Sequence, residues 1–299
     1  MPPYDAAMPS SIYRSQAARA RVRDWCEDRL AAWPVPHSRR QVETSAGPTS
    51  VVRTEPGPGT GRTAIVLIPG TNMTAAVSLG FAEALSRVAP LIVLDVPGQP
   101  GLSSGERPRR NRMDWYGRWL TETMAQVTPE PAVVVGHSLG GAIALASGSP
   151  LISGRVLVST AGLVRLRVGA SVLGATVPWL LRPSVPRAER LVRRMLSPGA
   201  PVSDELSRWM ALVGASCRSS LAPAPLPSTV LTRARNVPSM VVAGSHDVFL
   251  PPARLGPAAE QRLGTALRVL DGAGHLLPEE SPERVAALVA EFTDACGRH

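Results

Sequence analysis

Gly136-His137-Ser138-Leu139-Gly140-Gly141 follows directly on the apolar run Pro131-Ala132-Val133-Val134-Val135. A β-branched run, a Gly-x-Ser-x-Gly turn and small apolar residues from Ala142 to Ala146 read as strand, sharp turn and helix. Such a turn forces its serine into strained backbone angles that lift the hydroxyl off the sheet edge. Gly136 and Gly140 are small where strand and helix must nearly touch. A serine hydroxyl alone is a poor nucleophile, so the motif carries chemistry only alongside a base and an orienting acid.

Outward from this point, strands and helices alternate. Apolar runs at 64–69, 91–96, 132–136, 155–159, 239–243 and 267–270 are short and rich in Val and Ile, without alternation. Parallel strands buried on both faces read this way. Helical periodicities at 75–88, 113–127, 139–148 and 282–295 separate them, so the succession predicts a mostly parallel, doubly wound sheet. Ahead of it, 11–33 reads as a helix closed by Pro34 and Pro36, and 39–44 with 49–54 as a hairpin around Ala46-Gly47-Pro48. The stretch 55–62 reads as a loop. Residues 161–237 break the rhythm: helix-like pieces and prolines, no buried strand, and far too long for an ordinary connection. They are read as a helical cap over the carboxyl ends of the strands, with 1–160 and 238–299 forming the core.

Open parallel sheets bind ligands beyond the carboxyl ends of their strands. Those ends carry Pro69-Gly70-Thr71-Asn72, Asp95-Val96-Pro97-Gly98, Ser138, Gly244-Ser245-His246-Asp247 and Gly272-Ala273-Gly274-His275. Acyl chemistry at a serine needs a base beside the hydroxyl and a carboxylate to orient that base. Of five histidines, His37 precedes the sheet and His299 ends the chain. His137 points away from the serine, and His246 falls one residue short of the loop position facing the site. His275 remains, with Asp247 as its acid. Asp95 is the rival acid, read as fixing its Gly-rich turn through backbone amides. An oxyanion needs two N–H donors, and Leu139 and Thr71 are placed to supply them. Asn72 is a candidate pocket residue or a turn residue. In the cap, Leu173, Trp179 and Leu180 are candidates for an apolar wall around a hydrophobic acyl group; the alternative is packing within the cap.

Composition narrows the classes. The net charge is +9, and all 32 basic residues are arginine. Arginine codons are GC-rich and lysine codons AT-rich, so coding bias accounts for the excess. No helix-turn-helix, zinc-finger or RNA-binding signature accompanies it, and no nucleic-acid partner is expected. Three dispersed cysteines form neither a metal-binding nor a disulfide pattern, which suits a reducing cytoplasm. Met1-Pro-Pro-Tyr-Asp lacks a signal-peptide layout. The uncharged stretch 168–181 is shorter than the roughly 20 residues that span a bilayer, so a cytoplasmic, non-spanning protein is expected. No metal and no cofactor is called for.

These motifs resemble the α/β-hydrolase fold superfamily over nearly the whole chain. Gly136–Gly141 is similar to its nucleophile elbow, and Asp95 to Ser103 to the Gly-rich turn after the fourth strand. Gly244-Ser245-His246-Asp247 and Gly274-His275, with Pro278 and Glu280, resemble its acid and base segments. The resemblance places the cap between the sixth and seventh strands. Pro69-Gly70 stands where many relatives carry His-Gly, which leaves the triad intact but changes the acyl pocket. The implied activity is hydrolysis of a carboxylic ester or thioester through an acyl-serine. Epoxide hydrolases and haloalkane dehalogenases place Asp at the elbow, a role Ser138 cannot fill. The alternative is a thioesterase or cyclase releasing a polyketide-type chain, with an acidic acyl-carrier protein drawn to Arg182, Arg187, Arg190, Arg193 and Arg194. Perhydrolases and carbon–carbon bond hydrolases share the same triad.

Overall fold

The computed structural model describes residues 10–55, 62–218 and 223–296. Most of the loop read at 55–62, and the terminal His299, lie outside them.

Eight strands form the central sheet: β1 (His37–Thr44), β2 (Gly47–Thr54), β3 (Ile65–Ile68), β4 (Leu91–Leu94), β5 (Ala132–His137), β6 (Ile152–Val158), β7 (Ser239–Gly244) and β8 (Leu267–Leu270). Their spatial order is β8-β7-β6-β5-β3-β4-β2-β1. All pairs from β4 through β8 are parallel, and the hairpin β1–β2 joins β4 antiparallel. A two-residue ladder, Ser10–Ser11 against Glu106–Arg107, stands apart.

The central strands are apolar on both faces because both faces are covered. On β3, Ile65 and Leu67 pack in the layer of Phe81, Leu85, Val285 and Val289, carried by α2 (Leu79–Ser86) and α11 (Pro282–Cys296). Val66 and Ile68 pack with Trp119, Leu120 and Ile143, from α3 (Arg112–Val127) and α4 (Leu139–Ala146). Strand β8 departs from the expectation of burial on both faces. It is the sheet edge, and Arg268 and Val269 are exposed.

Three helices differ from the periodicity reading: the one expected over 11–33 starts only at Gln16, since Ser10–Ser11 pair as a strand, Tyr13 bridges Cys217 and Ser15 caps the helix. The helix expected over 75–88 starts only at Leu79, because Asp95 Oδ1 accepts the Ala75 N–H at 2.8 Å and Thr74 Oγ1 that of Ala76 at 3.0 Å. Those bonds hold the preceding turn out of helical register. A helix absent from the sequence reading, α9 (Pro252–Leu263), connects β7 to β8. Its prolines look like breakers, yet Pro252 occupies the first helical position, where no N–H is needed.

Between β6 and β7 lie α5 (Ala170–Leu181), α6 (Val185–Met195), α7 (Asp204–Ser216) and α8 (Ser228–Ala234). The first three pack on one another, whereas α8 packs on α4 and α9. The stretch read as one unit, 161–237, thus divides between an α5–α7 insertion and a helix of the core layer. The N-terminal helix α1 (Gln16–Ala31) serves the insertion: Trp25 stacks on Trp209 of α7 with centroids 4.6 Å apart, and Arg29 pairs with Glu205.

One buried cation ties the core layer together. Arg155 of β6 donates from Nε to Ala144 O at 2.9 Å, and from its two terminal nitrogens to Ala234 O at 3.2 Å and Ser147 O at 3.4 Å. These carbonyls lie at the C-terminal ends of α4 and α8, where backbone oxygens lack helical partners. Burial, with Arg233 nearby, pushes the guanidinium down to about 10, still fully charged at neutral pH. Arg155→Ala is expected to lower stability by about 3 kcal/mol, since three carbonyls lose a charged donor and a cavity forms. The urea midpoint measures it; a shift below about 0.5 kcal/mol contradicts this role.

Candidate functional site

Strand β5 ends at His137, and Ser138 turns the chain into α4 with φ 50° and ψ −107°. A non-glycine residue held at positive φ costs of order 1–3 kcal/mol and persists only where its surroundings over-determine it. Here they do. Ser138 N–H donates to Val158 O at 2.9 Å, and Ser138 O accepts from Ala161 N at 3.0 Å. A Cβ on Gly136 would sit 2.6 Å from the Gly140 backbone, and one on Gly140 would sit 2.0 Å from Ile68 O.

The other strand ends converge on this hydroxyl. His275 Nε2 lies 3.2 Å from Ser138 Oγ, and His275 Nδ1 lies 3.0 Å from both carboxylate oxygens of Asp247. This arrangement puts the proton on Nδ1 and leaves Nε2 to accept from the serine. Asp247 Oδ1 also accepts the N–H groups of Phe249 at 3.0 Å and Leu250 at 2.9 Å. Burial alone raises a carboxyl pKa, but the His275 imidazole and these hydrogen bonds outweigh it and hold Asp247 below the usual carboxylate range. Ser138, Asp247 and His275 are all buried.

The remaining histidines and the rival acid are engaged elsewhere. His37 Nδ1 meets Val35 O at 2.7 Å, and the exposed His246 meets Ser245 Oγ at 3.1 Å. Asp95 accepts from Ala75 and Leu102 amides at 2.8 and 3.0 Å, bracing its turn. His137 is buried, with Nε2 3.0 Å from His275 O. Gly70 leaves room for that ring, since a Cβ there would approach Nδ1 to 2.8 Å.

The two residues read as N–H donors follow neighbouring strands, β5 and β3. Leu139 opens α4, where amides lack helical partners and the helix dipole favours negative charge. Thr71 lies in the turn after β3. The next residue, Asn72, holds φ 62°, donates its N–H to Gln99 Oε1 at 3.1 Å and accepts the Trp209 indole N–H on its carbonyl at 2.7 Å. Asn72 therefore acts as a turn residue pinned from both sides.

The insertion's pocket candidates do not gather as expected. Trp179 is buried, and its indole donates to Met210 O of α7 at 2.8 Å, so it packs α5 on α7 instead of lining an entrance. Leu173 faces solvent, and Leu180 is half-buried against the core. The insertion instead touches the site through its backbone. His275 N–H donates to Met195 O at 2.8 Å, at the end of α6. Glu280 accepts from Gly274 N at 2.7 Å, Ser197 N at 2.7 Å and Ser197 Oγ at 2.6 Å, tying the base loop to the segment after α6. Sequence reasoning placed Gln99 in its Gly-rich turn without a role and did not single out Trp209. The Trp209 contact spans 137 residues, and nothing local announces it.

A parallel sheet with a strand–serine–helix turn, and with an acid and a base on successive later strand ends, defines a nucleophile-elbow hydrolase scaffold. The chain belongs to the alpha/beta hydrolase family, whose model matches residues 65–288. It is 25% identical over 290 residues to an uncharacterized protein of Mycobacterium tuberculosis, covering 85% of this chain and 84% of that one. A shorter match, 36% identity over 80 residues, covers 27% of this chain and 30% of the pimeloyl-[acyl-carrier protein] methyl ester esterase of Aeromonas salmonicida. Among solved structures, carboxylesterase CesB of Bacillus subtilis superposes with a TM-score of 0.74 at 19% identity, over 92% of this chain and 98% of that one.

His137 couples this site to acid stability. Burial, and the neighbouring His275, push its imidazole down to about 4, only partly countered by the bond to His275 O. The unfolded chain binds that proton near 6.5, so stability is complete above 6.5 and is lost as pH falls toward 4. Between pH 7.5 and pH 5 the loss is expected to be about 2 kcal/mol. Urea unfolding at both pH values, with His137→Gln flattening the difference, measures it; an equally steep dependence in the variant assigns the effect elsewhere.

Proposed function

We propose that the protein is a serine hydrolase acting on a carboxylic ester or thioester with a hydrophobic acyl group. The observation that carries this reading is His275, standing 3.2 Å from Ser138 Oγ on one side and 3.0 Å from Asp247 on the other. Ser138 Oγ attacks the carbonyl carbon as His275 Nε2 takes its proton. The amides of Leu139 and Thr71 face the oxyanion. The imidazolium, held by the ionised Asp247, gives the proton to the leaving alcohol or thiol, and an acyl-serine remains. Water, deprotonated by the same imidazole, then releases the acid and restores the serine. Burial of all three groups strengthens these interactions by keeping them out of bulk water. Esterases among the structural and sequence relatives agree with this reaction class.

Ser138→Ala is expected to cost about 10³-fold or more in turnover of a short activated ester, with an unchanged melting temperature. His275→Gln is expected to lose a comparable factor. His246→Gln, at an exposed position outside the site, should stay within about threefold. Steady-state kinetics of the three variants decide the matter. Turnover of Ser138→Ala within tenfold of the parent protein, or a larger loss in His246→Gln than in His275→Gln, overturns the mechanism.

A further inference from the structure

Among the described residues, six large hydrophobic side chains are exposed, and five of them lie between Val168 and Val185. Leu181 is 75% exposed, Val168 56% and Leu173 52%, with Val177 and Val185 beside them. Leu173, Val177 and Leu181 recur every four residues along α5, so they form one stripe about 12 Å long. The opposite side of the same helix buries Val172, Ala175 and Trp179. Helix α5 carries no charged residue at all. A helix apolar all round belongs inside a protein or against lipid, and α5 has protein on one side only.

The segment that carries the stripe holds charge almost entirely of one sign. From 161 to 203 the sequence holds seven arginines and a single acidic residue, Glu189. Arg165 and Arg167 precede the stripe, Arg182 follows it, and Arg187, Arg190, Arg193 and Arg194 lie on α6, which packs on α5. Of these, only Arg193 has a carboxylate partner within the segment, Glu189.

We propose that this face docks on an anionic lipid surface, with Leu173, Val177 and Leu181 entering the acyl boundary and the flanking arginines meeting lipid phosphates. Exposed aliphatic side chains on a segment that also exposes most of its arginines match the layered chemistry of a bilayer interface, apolar below and anionic above. Two other occupants fit less well. A second copy would bring seven arginines against seven. An acidic protein would answer the charge, but protein interfaces concentrate their energy in aromatic anchors seated in pockets, and this stripe is aliphatic and protruding. The proposal goes beyond ester hydrolysis and does not rest on it, since docking needs no turnover.

Flotation with phosphatidylcholine vesicles, with and without about 30 mol% phosphatidylglycerol, tests it. The floated fraction is expected to rise at least about fivefold with the anionic lipid, and to fall by a similar factor when salt is raised from about 0.1 M to 0.5 M. Val177→Gln combined with Leu181→Gln should abolish most of the flotation while leaving the melting temperature in place. Leu181→Gln alone, at the most exposed position, carries the test if the pair fails to fold. Absence of flotation, or flotation unchanged by these substitutions, overturns the proposal. So does a dimer that the same substitutions dissociate, or salt-sensitive capture by an acidic acyl-carrier protein without any vesicle binding.

Discussion

The backbone of Ser138 is the constraint on which the rest of this structure depends. Its positive φ places a hydroxyl beyond the carboxyl ends of a buried sheet, at a conformational cost that no local interaction offsets. The turn survives because β5, β6 and α4 are each fixed independently and leave it no alternative. Ile68 and Gly140 touch so closely that only glycine fits, and Val158 and Ala161 take up the serine's own backbone groups. Arg155 extends the same logic outward. It holds the far end of α4 through Ala144 and Ser147, so both ends of the helix that carries the elbow are secured by neighbours.

Around that fixed point, Asp247 and His275 are each oriented by more than one contact. Asp247 is aimed by two amides, and His275 by Asp247 and by Met195. The turn bearing Thr71 and Asn72 is held from below by Gln99 and from above by Trp209. Gln99 is in turn bonded to Tyr116 at 3.4 Å, which packs against Trp119 in the core. The Ser138–His275–Asp247 geometry is therefore a property of both helical layers and the insertion, and not of three loops alone.

What was legible in the sequence follows from this division. The elbow was readable because its requirements are local: glycine, serine and glycine within five residues, behind a β-branched run. Asp247 and His275 were readable because each lies just beyond a strand end, and the order of strands along the chain places those ends together. Asp95 was readable as a brace because it opens a Gly-rich turn. The direction in which Trp179 points was not readable. It depends on Gly214 leaving space in α7, where a Cβ would lie 2.9 Å from the indole nitrogen, and on Met210 offering its carbonyl. The faces of α5 could not be told apart either, since both are apolar. Helix α9 was not read from the sequence: Pro252 sits at its first position, where no N–H is needed, but Pro257 lies inside it.

The insertion's contacts also bear on how substrate reaches the serine. Lifting α5–α7 as one body would break His275 N–H to Met195 O, both Ser197 bonds to Glu280, and the Trp209 bond to Asn72. It would also unstack Trp25 from Trp209, which ties the insertion to the N-terminal helix. Net hydrogen bonds contribute about 0.5–1.5 kcal/mol each and more when a carboxylate accepts, so the combined cost is several kcal/mol. The same motion would release the loop that carries His275 and the turn that carries Thr71. Side-chain movement and local shifts, by contrast, would leave Met195, Ser197 and Trp209 in place, and α5 reaches these contacts through α6 and α7, on which it packs.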